Sequence, residues 1–222
     1  MCIRDSLVGE LLDNAGSTEV LEAEDKSNDV AVDPDPDRES ASAVIERIMA
    51  PKPIEVRLLR RKPTVEGLSV EPPAKQLSVI CYLAYHRSVT SQRLRDTFWP
   101  TATSRKTADN AISQIRSVLG LTAAGEHRLT QAINSGEYEI SDDVGCDWTR
   151  ADALIGESKG RPADEQMELF SAALDLVGGQ IGADAPIRQF AWVIDDHSVY
   201  GHVECRLLDA ANRMGDLSLI HI

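Results

Sequence analysis

Two short stretches after residue 53 alternate apolar and polar residues. In IEVRLL, residues 54–59, this alternation predicts a strand whose apolar side chains face inward while Glu55 and Arg57 face outward. The stretch PTVEGL, residues 63–68, predicts a second short strand with Gly67 in the turn. A small sheet is therefore expected at this point of the chain.

The apolar spacing then changes from two residues to three and four, which predicts helices. A first helix is expected over residues 74–85. A second begins at Thr90 or Ser91, either of which can cap its first turn, and ends at Pro100. These two helices lead into a third, which is the most informative segment of the chain.

The third predicted helix, residues 105–119, is amphipathic, because its apolar residues fall on one stripe at about 100° per residue. Ser104 can cap its start, and Gly120 suits the left-handed residue that often follows a helix. Five polar side chains occupy the opposite face: Lys106, Asn110, Ser113, Gln114 and Ser117. One side of this helix is predicted to pack on a core, and the other is left to contact something polar.

Two further strand patterns, HRLTQA and EYEI, flank the turn INSG at residues 133–136. Gly136 suits such a turn, so the segment predicts a β-hairpin. The order of strand, strand, three helices and hairpin over residues 51–142 predicts a winged helix-turn-helix domain.

Residues 143–216 predict a second, helical domain. Asp147 can cap a helix over WTRADALIG, a second helix is expected over residues 163–177, and a third from about 190 to 214. Five residues of the third are predicted to be core: Trp192, Val199, Val203, Leu207 and Ala210. Helix pairs of this kind stack into TPR-like arrays. The predicted fold class is mainly α with small β, a winged helix-turn-helix domain followed by a truncated TPR-like helical domain.

The two ends of the chain differ from the rest. Residues 7–50 are acidic and poor in large apolar residues, which predicts a largely disordered linker; only SAVIERIMA, residues 42–50, suits a helical turn or two.

The first six residues, MCIRDS, and the last six, LSLIHI, are compatible with one short DNA word read on opposite strands, as in a sequencing adapter. Residues 1–6 and 217–222 are therefore expected to be adapter-like artefacts, and the chain between them a metagenomic fragment.

The net charge of −13 is unevenly distributed. Residues 1–50 carry 4 basic and 13 acidic side chains, residues 51–140 carry 13 and 8, and residues 141–222 carry 6 and 15. The middle segment is thus basic by 5 charges, while each flanking segment is acidic by 9. Because local charge decides what a surface attracts, the three predicted helices favour a polyanionic partner.

The side-chain types on the free face of the third helix suit DNA. Asn and Gln bind adenine edges, Lys and Arg bind guanine, and Ser binds either. An α-helix fits the major groove, and basic residues beside it hold phosphates. A single amphipathic helix is more often merely solvated. The preceding helix, the following hairpin and the local basic charge together favour double-stranded DNA as the partner.

The segment CYLAYHRSVTSQRLRDTFWPTATSRKTADNAISQIRSVLG, residues 81–120, resembles the DNA-binding domain of the antibiotic regulatory proteins of actinobacteria. Members carry a helix ending in YLA, an LWP that is FWP here, and N…S.LR..LG in the third helix. The stretch DVGCDWTRADALI, residues 143–155, resembles the junction into their bacterial transcriptional activator domain. The resemblance covers about residues 54–214 and implies a transcriptional activator.

The resemblance also implies roles for particular residues. Contacts to bases are implied for Lys106, Asn110, Ser113, Gln114 and Ser117. Contacts to phosphates are implied for Thr90, Ser91, Arg105, Arg116 and Arg128. A loop facing RNA polymerase is implied at Trp99, Thr101 and Thr103. The chain departs from the family in its hairpin, where Glu137 and Glu139 would repel phosphate. Double-stranded DNA, RNA polymerase and a homo-oligomer are the expected partners.

A different function class fits the same features. Large actinobacterial proteins with membrane helices and a LysM-type wall-binding module carry a similar pair of domains at their C-terminus. The chain would then be a protein-interaction scaffold with a degenerate winged helix. Its location would be cytoplasmic in either case, tethered to the membrane only through upstream sequence that is missing.

Enzyme and metal chemistry are not expected. The four cysteines, Cys2, Cys81, Cys146 and Cys205, are isolated, so neither a zinc site nor a disulfide framework is predicted. His197 beside Asp195 and Asp196 lacks ligand spacing, and the sequence shows neither a glycine-rich phosphate loop nor a nucleophile elbow. No cofactor is expected. Trp99, Trp148 and Cys81 are predicted to pack in the interior.

Overall fold

The computed structural model describes residues 38–101, 105–131, 136–194 and 197–220 of the chain. From Glu39 onward these residues belong to one compact unit, and the boundaries predicted near residues 51 and 143 both fall inside it. The fold is mainly helical with small sheets: the described residues form eight helices and two three-stranded sheets.

The helices are α1 (Ala41–Met49), α2 (Ala74–His86), α3 (Ser91–Phe98), α4 (Arg105–Leu119), α5 (Asp147–Glu157), α6 (Ala163–Leu174), α7 (Ile187–Ile194) and α8 (His197–Ile220). The strands are β1 (Ile54–Arg57), β2 (Thr64–Glu66), β3 (Ser88–Thr90), β4 (Leu129–Gln131), β5 (Glu137–Ile140) and β6 (Val144–Cys146).

Helices α2, α3 and α4 lie where the apolar spacing predicts them. The Thr90 hydroxyl caps α3 by accepting a hydrogen bond from the Arg93 backbone N–H at 3.2 Å. Gly120 follows α4 with a φ of 68°, a left-handed conformation that favours glycine. The cap predicted at Ser104 lies outside the described residues.

The predicted hairpin is present and gains a third strand. Strands β4 and β5 pair antiparallel, with Leu129 opposite Ile140, and Gly136 enters β5 with a φ of 69°. Strand β3 pairs antiparallel with the other edge of β5, placing Val89 opposite Tyr138. The sequence gives no sign of β3, because three residues are too few to show a period. The start of α3 is thereby fixed against the hairpin.

The second sheet contains β1, β2 and β6, and in it one side chain of β1 has a different orientation from the expected one. Strand β1 pairs antiparallel with β2, as predicted, and parallel with β6, which makes β1 the central strand. The prediction that Glu55 faces outward is wrong: its side chain is covered by α5, and the residue is only 8% exposed. Alternating apolar and polar residues predict an outward-facing polar side chain only where one face of the strand contacts solvent. Both faces of β1 are packed against other parts of the protein.

Helix α1 belongs to the folded unit. Ala41 and Val44 are buried where α1 packs on α5 and α6, and the Ser40 hydroxyl accepts a hydrogen bond from the Ala43 backbone N–H at 3.3 Å. The predicted linker over residues 7–50 therefore includes folded structure at its end. Residues 1–37 lie outside the described part of the chain.

The second half of the chain is helical, but the bounds of its helices differ from prediction, and α6 ends at Leu174 where the prediction extended it to residue 177. The expected single helix from residue 190 to 214 is two helices, α7 and α8, with residues 195–196 outside the described set. Helix α8 also continues past Met214 to Ile220, and Leu217 packs partly buried against the core. All five residues predicted as core here, Trp192, Val199, Val203, Leu207 and Ala210, are buried.

The two halves of the chain share one aromatic core. The Trp192 indole N–H donates to the Ser78 hydroxyl at 2.8 Å, and that hydroxyl donates to the Gln189 carbonyl at 2.5 Å. Tyr82 meets Trp192 edge to face at 5.0 Å between ring centroids, a favourable aromatic geometry. Helix α2 therefore packs directly on α7.

Asp147 was expected to cap α5 but lies one position inside it, after Cys146. Its buried carboxylate accepts hydrogen bonds from the backbone N–H groups of Leu58, Leu59 and Trp148 at 2.8–2.9 Å. Burial raises the pKa of Asp147 from 3.8 to about 6, although these three donors lower it. The residue thus fixes the end of β1 to the start of α5 while titrating near neutral pH.

We expect Asp147 to make stability depend on pH. Between pH 3.8 and 6 the folded state binds a proton that the unfolded state does not, so this contribution is present at low pH and is lost as pH rises through 6. Lowering the pH from 7 to 5 should therefore stabilise the wild type by about 1 kcal/mol relative to Asp147→Asn. Urea unfolding of both proteins at the two pH values measures it. Equal changes in both would contradict the assignment.

Candidate nucleic-acid interface

Helix α4 divides into a buried and an exposed side. Its apolar residues Ala108, Ile112, Ile115 and Leu119 are buried. All five predicted base-contacting residues are exposed: Lys106, Asn110, Ser113, Gln114 and Ser117. We call these five residues the α4 free face. Successive residues of a helix are about 100° apart around its axis. Four of these side chains therefore lie along the centre of the face, and the fifth, Gln114, lies toward one flank.

One flank of α4 is held by α2. The side-chain amide of Gln76, in the first turn of α2, donates a hydrogen bond from Nε2 to Oε1 of Gln114 at 2.9 Å. Gln76 itself is half-buried. Sequence reasoning missed this contact, because a glutamine in a helical first turn has no pattern that links it to a residue 38 positions away.

The opposite flank of α4 is held by the hairpin. Arg116 Nε donates to the Leu129 carbonyl at 2.9 Å, and Arg128 donates to the Leu119 carbonyl at the end of α4 at 2.8 Å. Arg128 also lies 3.4 Å from the carboxylate of Asp143. Carbonyls at a helix C-terminus lack intrahelical donors, so a nearby guanidinium is a natural partner.

Two of the arginines for which phosphate contacts are expected also bond within the protein. The guanidinium groups of Arg116 and Arg128 join α4 to the hairpin and are partly buried. Arg105 is the first residue of α4, and its side chain lies outside the described residues. The basic side chain that the structure does expose on the α4 free face is Lys106.

The start of α3 forms a second candidate contact. Thr90 is exposed and Ser91 half-buried at the N-terminus of α3, where backbone N–H groups favour an anion. The Ser91 backbone N–H is already bonded to the Gly136 carbonyl at 2.6 Å. Arg93, which sequence reasoning did not single out, is exposed in the first turn of this helix.

The hairpin itself is acidic. Glu137 and Glu139 are both exposed on β5, and Glu137 accepts a hydrogen bond from the Ser88 hydroxyl at 3.2 Å. Strand pairing places Glu137 opposite Thr90. A phosphate approaching Thr90 would therefore meet a carboxylate, which weakens that contact and leaves α4 as the principal polar surface.

The loop expected to face RNA polymerase is only partly exposed. Trp99 is buried, packs against Phe98, and has Lys75 Nζ 5.0 Å from its ring centroid, so it is a packing residue as the sequence also predicted. Thr101 is exposed, whereas Thr103 lies outside the described residues.

The described residues contain no group of three or more His, Cys, Asp or Glu side chains that could hold a metal ion. Cys81 and Cys146 are buried as free thiols, and burial raises the pKa of Cys146 to about 12. The side chains of His197, Asp195 and Asp196 lie outside the described part of the structure.

None of the eight helices described above is long and apolar enough to cross a bilayer. Comparison with models of protein families, with curated proteins and with solved structures finds no match to this chain.

Proposed function

We propose that the chain is a DNA-binding transcriptional regulator, and specifically an activator, that reads the major groove with α4. The observation that carries the proposal is the α4 free face: five hydrogen-bonding side chains are exposed along one helix, while both of its flanks are bonded to neighbouring elements. A helix held in this way presents its side chains from a fixed backbone position, which favours the reading of base edges.

The chemistry of this surface suits the major groove better than it suits a protein partner. Lys106 donates and carries charge, Asn110 both donates and accepts, and Ser113 and Ser117 do both with a single hydroxyl. Protein interfaces instead gather aromatic and apolar residues at their centre, and the α4 free face has none. The segment 51–140 is also basic within an acidic chain.

The proposal extends to the architecture. Residues 51–142 would be a winged helix-turn-helix domain and residues 143–216 the beginning of a TPR-like bacterial transcriptional activator domain, as the resemblance to the actinobacterial regulators implies. The order of helices and hairpin supports it, as does the helix-rich second half. On this proposal the chain acts in the cytoplasm on double-stranded DNA and contacts RNA polymerase near Thr101.

A second candidate function is a protein-interaction scaffold with a degenerate winged helix. The observation that favours it is the pair of exposed carboxylates, Glu137 and Glu139, on the strand that would form the wing. If the hairpin is repelled by DNA, α4 must supply the contact alone, and a scaffold would need no DNA contact at all.

The test is selection of random duplex DNA by the full chain at two salt concentrations, followed by sequencing of the bound fraction. We expect an enriched motif and an affinity that falls steeply with salt, because binding releases counterions from the phosphates. Absence of both an enriched motif and salt-dependent binding would reject the proposal in favour of the scaffold.

A further inference from the structure

We propose that the cleft between α7 and the helix pair α2 and α3 is a phosphate-binding site, in which Lys75 and Arg188 hold the phosphate group. The two cations are far apart in the sequence but line the same cleft. The site is independent of the DNA-reading role proposed for α4, and one of its walls belongs to the second half of the chain.

The cleft has a polar rim and an aromatic floor. Its polar lining residues are Lys75, Thr97, Arg188 and Gln189, and its apolar lining includes the buried rings of Phe98 and Trp192. The cavity volume is about 240 Å³. Pockets for drug-sized ligands are usually larger, so this cleft suits a phosphate ion or a small phosphate ester.

The walls of the cleft are bonded to each other. The Trp192 indole N–H donates to the Ser78 hydroxyl of α2, and that hydroxyl donates to the backbone carbonyl of Gln189 in α7. The backbone next to Arg188 is therefore joined to the helix that carries Lys75. Because both side chains start from connected backbones, a single anion can contact both of them.

Arg188 differs from the other arginines of the acidic second half. Residues 141–222 carry 6 basic and 15 acidic side chains. The remaining four arginines there are each bonded to a carboxylate: Arg150, Arg161, Arg206 and Arg213. The Arg188 guanidinium is exposed and makes neither an ion pair nor a hydrogen bond with the residues that the structure describes. Its charge is therefore available to an anion from outside the protein.

The other donors at the cleft are available as well. The Lys75 ammonium lies 5.0 Å from the Trp99 ring centroid and forms no ion pair within the described part of the chain. The side-chain amide of Gln189 makes no hydrogen bond there either. Among the described residues that line the cleft there is no carboxylate. Asp96 of α3 is not a lining residue, and it accepts hydrogen bonds from the Gln92 amide at 2.8 and 3.1 Å.

A phosphate group suits this pair of cations better than a carboxylate does. A phosphate monoester carries a charge of about −1.5 to −2 near neutral pH and offers three strong acceptor oxygens, whereas a carboxylate carries a single charge. The Arg188 guanidinium can donate two parallel hydrogen bonds to phosphate oxygens, and the Lys75 ammonium adds a second positive charge.

The experiment is a titration of the full chain with inorganic phosphate at neutral pH and constant ionic strength. Tryptophan emission reports binding, because Trp192 lines the cleft. The double substitution Lys75→Gln with Arg188→Gln should weaken phosphate binding by about tenfold or more, since it removes both charges and the guanidinium fork. Acetate should bind the wild type more weakly than phosphate does.

A matched control removes the same two side-chain types from exposed positions elsewhere. Lys159→Gln with Arg213→Gln gives the same change in net charge, and neither residue lines the cleft. At constant ionic strength these distant charges are screened, so the Kd for phosphate should stay within about twofold of the wild-type value.

The phosphate can belong to a free small molecule or to the backbone of a bound duplex, and a second titration separates these sources. Each protein is titrated with duplex DNA of random sequence at several salt concentrations. If the duplex supplies the phosphate, the slope of log affinity against log salt should be smaller by about 1.8 in the cleft variant than in the control, because each phosphate contact contributes about 0.9. Loss of phosphate binding with an unchanged slope assigns the cleft to a free phosphate-bearing molecule.

Equal behaviour of the cleft variant and its control in both titrations would overturn the phosphate site. So would binding of acetate to the wild type as tightly as phosphate. Failure of the wild type to select any DNA motif overturns the proposed function alone, since the titration with inorganic phosphate does not depend on it.

Discussion

Replacing Arg150 with alanine is expected to lower the free energy of unfolding by about 3–5 kcal/mol. The guanidinium makes two hydrogen bonds to the Glu55 carboxylate, at 2.6 and 2.7 Å, and a third to the Ala50 carbonyl at 2.8 Å. Both side chains are about nine-tenths buried. The loss follows from the carboxylate left behind, which would be charged, buried and without its guanidinium partner.

Urea unfolding of Arg150→Ala measures the change, and Arg206→Ala is a suitable control. Arg206 also donates two hydrogen bonds to one carboxylate, Asp152, but that pair is partly exposed. Exposed ion pairs contribute about 0–1 kcal/mol, so the control should lose little. The double substitution Arg150→Ala with Glu55→Ala should lose less than the sum of the single losses, because it removes the unpaired charge. Equal losses from Arg150→Ala and Arg206→Ala would contradict the prediction.

The helices around α4 were predictable because their signals are local. A hydroxyl at Thr90 caps α3, Gly120 ends α4, and the apolar stripe of α4 identifies its free face without any knowledge of neighbours. Each of these depends on residues within a few positions of one another. The α4 free face was therefore located correctly as an exposed surface from sequence alone.

The remaining features depend on contacts between distant residues. Strands β3 and β6 have three residues each and exist only because β5 and β1 offer free edges for pairing. Glu55 points inward because Arg150, 95 positions later, meets it there. No periodicity in the sequence encodes such pairs.

The same limit applies to the candidate site. An arginine beside a predicted groove-reading helix is expected to bind phosphate, and only the fold shows that Arg116 and Arg128 also bond to backbone carbonyls. The exposed basic side chain that the structure describes on the α4 free face is Lys106. Substitutions at the centre of this face are therefore the sharpest test of the proposed DNA contact.

The double substitution Lys106→Ala with Asn110→Ala is expected to abolish sequence preference. Both side chains are exposed at the centre of the α4 free face, and neither is part of the hydrophobic core. A good side-chain contact to a base edge contributes about 1–3 kcal/mol of discrimination, so losing two should reduce specific binding by about thirtyfold or more. Titration of the wild-type motif and a scrambled duplex with each protein measures the loss.

A matched control removes the same two side-chain types elsewhere. The control is Lys159→Ala with Asn212→Ala, which gives the same change in charge. Both residues are exposed; Lys159 follows α5, and Asn212 lies in α8. This control should keep the full ratio of specific to scrambled affinity, with only the small loss that one fewer positive charge causes through the overall field. Unfolding midpoints of both double variants should stay close to wild type, since surface substitutions cost little. If the Lys106 and Asn110 variant kept its sequence preference, α4 would not be the element that reads DNA.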